Sequence, residues 1–187
     1  MRIIAGKWRG SQLKEVDRDK TRPTTDKNKE MLFNILGQYF PNGSVLDLYA
    51  GSGALGLEAL SRGMTQCYFV DSSFQAINTI RENLIKLKLR ENEDIILVKR
   101  DVLNFLNQIS GKRFNLILAD PPYHVEDYDP ILSTIAERRL LAKKGTLVIE
   151  TKNDTQLEEH YLFLQRSRER VAGIAKFTFY TNQEESQ

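Results

Sequence analysis

A single cysteine, Cys67, among 187 residues leaves no partner for an intramolecular disulfide, which excludes the stapled scaffolds of small secreted domains. Two histidines, His124 and His160, give with that thiol no cluster of zinc-ligand spacing, so no metal site is expected. Long apolar runs are missing too. After Met1-Arg2-Ile3-Ile4 the chain turns polar, and no later stretch approaches a signal-peptide core or a membrane span. A cytoplasmic, monomeric chain without membrane contact is the expectation. Five prolines and eleven glycines are too few for a low-complexity or linker-rich protein. What is present is 41% hydrophobic residues over a length that suits one compact domain. At that size a chain buries roughly 70% of its unfolded surface and needs no covalent staple.

Charge is uneven along the chain. Residues 1–29 carry nine Lys or Arg against four acids, a balance of +5, so the remainder sums to −3 within the total of +2. A basic head on a mildly acidic body points to a polyanion contact made mainly by residues 1–20. Arg2, Lys7, Trp8 and Arg9 are the candidate RNA contacts there. The glycines of 3–13 (Gly6, Gly10) between short apolar runs fit a β-hairpin or extended arm.

Behind the arm, residues 21–182 alternate short apolar runs with helical periodicity, and 183–187 read as a frayed tail. The strand candidates are 44–49, 67–70, 95–98, 114–119 and 146–150; the helix candidates are 54–62, 74–87, 102–109 and 130–141. Such alternation implies a parallel sheet covered on both faces by helices. Thr24-Thr25-Asp26 looks like a helix start, followed by a buried stripe of Met31, Leu32, Ile35, Leu36 and Tyr39. Lys143 and Lys144 read as a charge pair at a helix end before Gly145. Two late runs, 161–164 and 174–180, are separated by a charged turn region without a helix and should pair antiparallel at the sheet edge.

The first strand ends in Asp47-Leu48-Tyr49-Ala50-Gly51-Ser52-Gly53-Ala54-Leu55-Gly56, a G-x-G-x-x-G spacing before a helix. Such a loop can receive a dinucleotide pyrophosphate, with Asp71 at the next strand end on the ribose. It can equally pass under the methionine part of S-adenosyl-L-methionine, with Asp71 in the same role. Asp47 favours the second reading, because a carboxylate at the loop repels phosphate and attracts an ammonium and a sulfonium. Ala50, Gly51, Ser52 and Gly53 are thus candidate cofactor contacts. Asp101, with Val102 after it, closes the third strand where an acid could accept the adenine amine; a helix cap explains the same residue.

Asp120-Pro121-Pro122-Tyr123 directly follows the strand at 114–119. Two prolines hold the chain in one rigid turn, which suits positioning of an exocyclic nucleobase amine, a poor nucleophile. The Asp120 carboxylate and the Pro121 carbonyl can each accept one N–H and aim the lone pair. Tyr123 offers a face for an extruded base, worth ~1–3 kcal/mol in stacking.

This tetrapeptide behind Asp47-x-x-Ala50-Gly51-Ser52-Gly53 resembles the Rossmann-like S-adenosylmethionine-dependent methyltransferases that act on base amino groups. Residues 2–10, Arg22-Pro23-Thr24-Thr25-Asp26, 30–34 and 53–63 are similar to the bacterial family that methylates guanine N2 in small-subunit ribosomal RNA. The resemblance implies a seven-stranded, mostly parallel sheet with one antiparallel edge strand. It also implies closure of the segment from Arg22 to Glu30 over the cofactor, with Arg22 and Thr24 as contacts, and a ribosomal particle as partner. Lys27 and Lys29 stand where that family usually has arginine, and Asp71 where glutamate is commoner. Three other readings compete: a DNA adenine-N6 methyltransferase, a non-catalytic RNA-binding or assembly factor on the same fold, and a nicotinamide oxidoreductase. The first would need a separate reading module that 187 residues hardly accommodate. The complete set Asp47, Asp71, Asp101 and Asp120 opposes the second, and Asp47 opposes the third.

Overall fold

The computed structural model describes residues 1–16, 26–122, 125 and 127–183. Five strands are parallel: β1 (Ser44–Leu48), β2 (Gln66–Asp71), β3 (Ile95–Lys99), β4 (Phe114–Ala119) and β5 (Leu141–Lys152). Helices α2 (Ala54–Ser61), α3 (Phe74–Lys86), α4 (Val102–Gln108) and α5 (Asp129–Glu137) connect them, and α1 (Asp26–Leu36) comes before β1. The chain ends in β6 (His160–Tyr161), β7 (Leu164–Ala172) and β8 (Ala175–Asn182), giving the order β3-β2-β1-β4-β5-β8-β7-β6.

The central strands read as near-continuous apolar runs because both faces are covered. One face packs Leu32, Phe33, Leu57, Phe69, Ile80 and Phe177 beneath α1, α2 and α3. The other packs Leu46, Leu106, Ile117, Leu132, Leu147 and Tyr180 beneath α4 and α5. The α/β fold expected from the alternation is therefore present, and its parallel topology brings the carboxyl ends of β1 to β4 to one edge.

Several details differ. The sheet has eight strands, seven of them substantial and the eighth the two-residue β6. Antiparallel β8 is not the edge: it lies between β5 and β7. The charged stretch expected as a turn is β7 itself, whose alternation is hidden by a bulge between Arg166 and Arg168. Helix α5 stops at Glu137, capped by Arg138 with Arg139 left-handed at φ 53°, so no glycine marks its end. Lys143 and Lys144 consequently belong to β5, not to a helix end. In α1 the buried face is Lys29, Leu32 and Phe33, while Tyr39 is 72% exposed. The helix ends at Leu36, so Tyr39 has left its periodicity.

The arm is docked rather than free. Arg2 bridges Gln12 antiparallel, Ile3 and Leu13 are buried, and the chain between them turns through Gly6 and Gly10, both at positive φ. A Cβ at Gly6 would sit 1.8 Å from the Ser61 carbonyl oxygen, so only glycine permits this approach to α2.

Candidate functional site

The loop after β1 is built by tethers from neighbouring strands. Asp71 at the end of β2 is 5% exposed; its Oδ2 accepts the Gly51 N–H at 2.9 Å and its Oδ1 the Ser73 N–H at 2.8 Å. Ala50 N–H reaches the Val70 carbonyl at 3.1 Å, and Gly53 N–H closes on the Ala50 carbonyl at 2.7 Å. Gly51 and Gly53 adopt φ 55° and 77°. A Cβ at Gly51 would meet nothing nearer than the Tyr49 carbonyl at 3.9 Å, so this bare stretch of backbone faces open space. Gly56 has the opposite reason: a Cβ there would lie 2.4 Å from Phe69 and 2.8 Å from the Cys67 sulfur, so it permits close helix-to-sheet packing.

Asp47 lies beneath the loop and not at its mouth. It is 1% exposed and its Oδ2 accepts the Gly56 N–H at 2.9 Å, pinning the first turn of α2 to β1. Burial pushes its carboxyl well above the ordinary range; the Gly56 bond opposes this, and the charges of Asp120 and Asp71 add to it. Its bond to Gly56 is internal, so its part in the site is to hold α2 against β1 beneath the loop. Asp101 caps α4, its Oδ1 accepting the Asn104 N–H at 3.0 Å, and it stays exposed; Val102 beside it is buried. Capping and ligand contact are compatible, since a carboxylate has lone pairs left over.

Asp120 begins the turn after β4, where its N–H meets the Leu48 carbonyl at 3.3 Å and ties the turn to the start of the glycine loop. Pro121 is buried, and the Pro122 carbonyl accepts the Val125 N–H at 2.9 Å. Asp47, Asp71, Asp101 and Asp120 are thus gathered at one sheet edge around the loop. Tyr123 of this motif, His124 after it, and Arg22 and Thr24 ahead of α1 lie outside the described residues.

Two tyrosines in this neighbourhood escaped the sequence reading. Tyr49, left-handed at φ 59° without being glycine, carries a phenol pushed up to about 12 by burial, with the Asp101 charge adding. Tyr128, 4% exposed, is raised by burial and then by Asp120. An aromatic between strand end and glycine was the available signal for Tyr49; a strained non-glycine conformation shows only in coordinates. Asn83 was missed as well. Its Nδ2 donates to the Ser52 carbonyl in the loop at 2.9 Å and to the Lys14 carbonyl at 2.9 Å, while its Oδ1 accepts the Lys14 N–H at 2.7 Å.

Beside the site, Glu58 of α2 is fully buried and accepts from the backbone N–H groups of Ile4 (2.8 Å) and Ala5 (3.0 Å), from Lys29 Nζ (3.1 Å) and from Arg62 Nε (2.8 Å). Lys29 is thereby a structural cation whose ammonium burial lowers its pKa against the pull of Glu58. Among the expected RNA contacts, Lys7 and Arg9 are exposed, with Lys7 5.3 Å from the Trp8 ring centre. Arg2 is engaged by Asp26 at 3.7 Å, and half-buried Trp8 packs against the core.

A β3-β2-β1-β4-β5 parallel sheet extended by an antiparallel strand, with a glycine loop and acids at its carboxyl edge, is the α/β methyltransferase fold. The chain belongs to the family described as Conserved hypothetical protein 95, whose model matches residues 1–181. It is 39% identical to the Bacillus subtilis protein YlbH over 96% of this chain and 98% of that one. It is 34% identical to the Haemophilus influenzae "Ribosomal RNA small subunit methyltransferase D", covering 97% and 94%. A solved Haemophilus influenzae structure, 33% identical, superposes with a TM-score of 0.82 over 98% of each chain.

Proposed function

We propose that this protein transfers a methyl group from S-adenosyl-L-methionine to the exocyclic N2 amine of a guanine in small-subunit ribosomal RNA. The observation that carries this reading is the Asp120-Pro121-Pro122 turn, hydrogen-bonded to Leu48 at the foot of the glycine loop. It sets an amine-holding carboxylate beside a cofactor loop. The name of the Haemophilus relative supports the substrate class.

The residues fit the cofactor. The open side of Gly51 leaves room for a ligand against the backbone, and the charges of Asp71 and Asp120 already raise Asp47. A cation placed at this edge is attracted by them, whereas a pyrophosphate is repelled. Bound S-adenosyl-L-methionine supplies an electrophilic methyl on a sulfonium. Asp71 keeps the loop in place and offers its remaining lone pairs to ribose hydroxyls; Asp101 sits on the adjacent strand end for the adenine amine. Asp120 and the Pro121 carbonyl each accept an N–H of the target amine, so its lone pair is directed at the methyl carbon. The methyl–sulfur bond would break as the nitrogen–methyl bond forms, its electron pair staying on sulfur as a neutral thioether, and the proton would pass to Asp120 or water only afterwards, when the amine is strongly acidic, so Asp120 need not act as a base beforehand. Tyr123 would stack on the extruded base. In this reading residues 21–182 are the methyltransferase domain, the arm of residues 1–20 touches RNA through Lys7 and Arg9, and a monomer acts on the assembled or assembling particle.

Incubation with methyl-labelled S-adenosyl-L-methionine and, separately, assembled small subunits, free ribosomal RNA and DNA tests the proposal. N2-methylguanine in one of the RNA substrates is expected. N6-methyladenine in DNA, or no transfer to any substrate, refutes it.

A further inference from the structure

A cavity of about 700 Å³ lies between α1 and β7, lined by Lys27, Met31, Asn34 and Ile35 on one wall and Arg168 and Arg170 on the other, with Glu30 and Glu169 also contributing. The β7 bulge creates its basic wall. Before the bulge Arg166 pairs with Tyr180, on the α4–α5 side of the sheet; after it Arg168 and Arg170 pair with Phe179 and Phe177, whose rings lie under α1. Directly opposed residues share a face, so the extra residue turns two arginines to the α1 side. Glu169 directs its charge elsewhere, to Arg166 at 3.4 Å and Lys176 at 3.3 Å. Among the described residues, Lys27, Arg168 and Arg170 have no ion-pair partner, and all three are exposed. Of the two acids that line the cavity among the described residues, Glu30 and Glu169, Glu30 is the one outside the ion pairs with Arg166 and Lys176.

We propose that this groove carries the phosphate backbone of the RNA strand on which the protein acts, delivering it to the catalytic edge along α1, whose Asp26 also engages Arg2 of the arm. The inference rests on the RNA methyltransferase reading and names a second contact for it. Three observations carry it. Ala172 pairs with Ala175, which pairs with Lys152 at the carboxyl end of β5. The Arg170 end of the groove therefore shares the sheet edge of Asp120. From β7 to β4 is three strand spacings, about 14 Å, a distance that a few nucleotides span. Arg168 and Arg170 are two residues apart on one strand face, about 6–7 Å, close to the separation of successive phosphates, and their forked guanidinium groups suit phosphate oxygens. Met31 and Ile35, half-buried between the cations, offer apolar surface to riboses and bases. An acidic peptide would use the arginines but has no need of that floor.

The test is Arg168→Gln/Arg170→Gln in the full chain, read by binding of a labelled single-stranded RNA over a salt series and by KM for assembled small subunits. Loss of two single-strand phosphate contacts should flatten the slope of log K against log salt by about 1.4 and weaken binding about tenfold near 0.15 M salt. Affinity for S-adenosyl-L-methionine and the melting temperature should not change, and Arg168→Lys/Arg170→Lys should restore most of the slope. An unchanged RNA affinity and slope overturns the proposal, and so does loss of poly-glutamate binding with RNA binding intact. Binding needs no methyl transfer, so a wild-type protein that methylates nothing refutes the enzymatic reading separately from the groove.

Discussion

Asp71→Asn is the substitution that most sharply joins stability to cofactor binding. Each Asp71 oxygen accepts one backbone N–H, Gly51 on one side at 2.9 Å and Ser73 on the other at 2.8 Å, in a position only 5% exposed. Asparagine keeps the shape but offers one acceptor and one N–H₂. Whichever way the amide turns, one of the two backbone donors faces another donor. An orphaned donor costs about 1–3 kcal/mol, and the surviving bond loses its charge assistance. A total near 2 kcal/mol lowers the melting temperature of a chain this size by about 4–8 °C. The Gly51 backbone is also the surface offered to the cofactor, and Asp71 is its candidate ribose acceptor. Affinity for S-adenosyl-L-methionine should therefore fall about ten- to a hundredfold, or about 1.4–2.7 kcal/mol. Denaturant unfolding gives the first quantity and titration calorimetry the second. A variant that melts at the wild-type temperature and binds with the wild-type constant refutes the tether argument; one that loses stability alone makes Asp71 a loop anchor without ligand contact.

Asp120→Ala should lower single-turnover methyl transfer by ~100-fold or more while cofactor affinity changes little; near-normal transfer removes Asp120 from the amine site. The folded protein holds a proton on Asp47 more tightly than the unfolded chain does. Its stability should therefore fall as pH rises from the ordinary carboxylate range through the raised Asp47 value. Asp47→Asn, whose carbonyl can still accept the Gly56 N–H, should flatten that fall in unfolding titrations and be at least as stable as wild type at neutral pH. Lys7→Gln/Arg9→Gln should flatten the RNA salt slope by about 1.4 if both touch single-strand phosphates, and an unchanged slope assigns them to solvent. Deleting residues 1–13 is a different perturbation: it strips Glu58 of two donors and uncovers the surface under Ile3 and Leu13, so the protein should lose stability as well as RNA binding.

Periodicity made the parallel core legible, because β1 to β4 are apolar runs bounded by polar residues, and the acids at their ends followed from parallel direction alone. It failed where local geometry breaks the period. A bulge hid β7 inside a charged stretch, and a left-handed Arg139 ended α5 without glycine. The glycine loop was legible as a loop, but which side Asp47 serves was not. A carboxylate at a strand end can point up to a ligand or down to a helix, and the Gly56 N–H decides it. Lys29 shows the same limit: nothing in its own helix turn marks it as buried, because its partner Glu58 lies 29 residues later.

The Glu58 carboxylate also fixes an order of assembly. Its donors Ile4 and Ala5 are 54 and 53 residues away, and Lys14 meets Asn83 across 69. Chains emerge N-terminus first during synthesis, so the first residues to leave the ribosome are without these native partners until α2 and α3 have been made. Lys29 waits with them, since the carboxylate that pairs with its ammonium is that of Glu58. The beginning of the chain is thus completed by its middle, and β1, α2, β2 and α3 form the earliest unit onto which residues 1–16 can close.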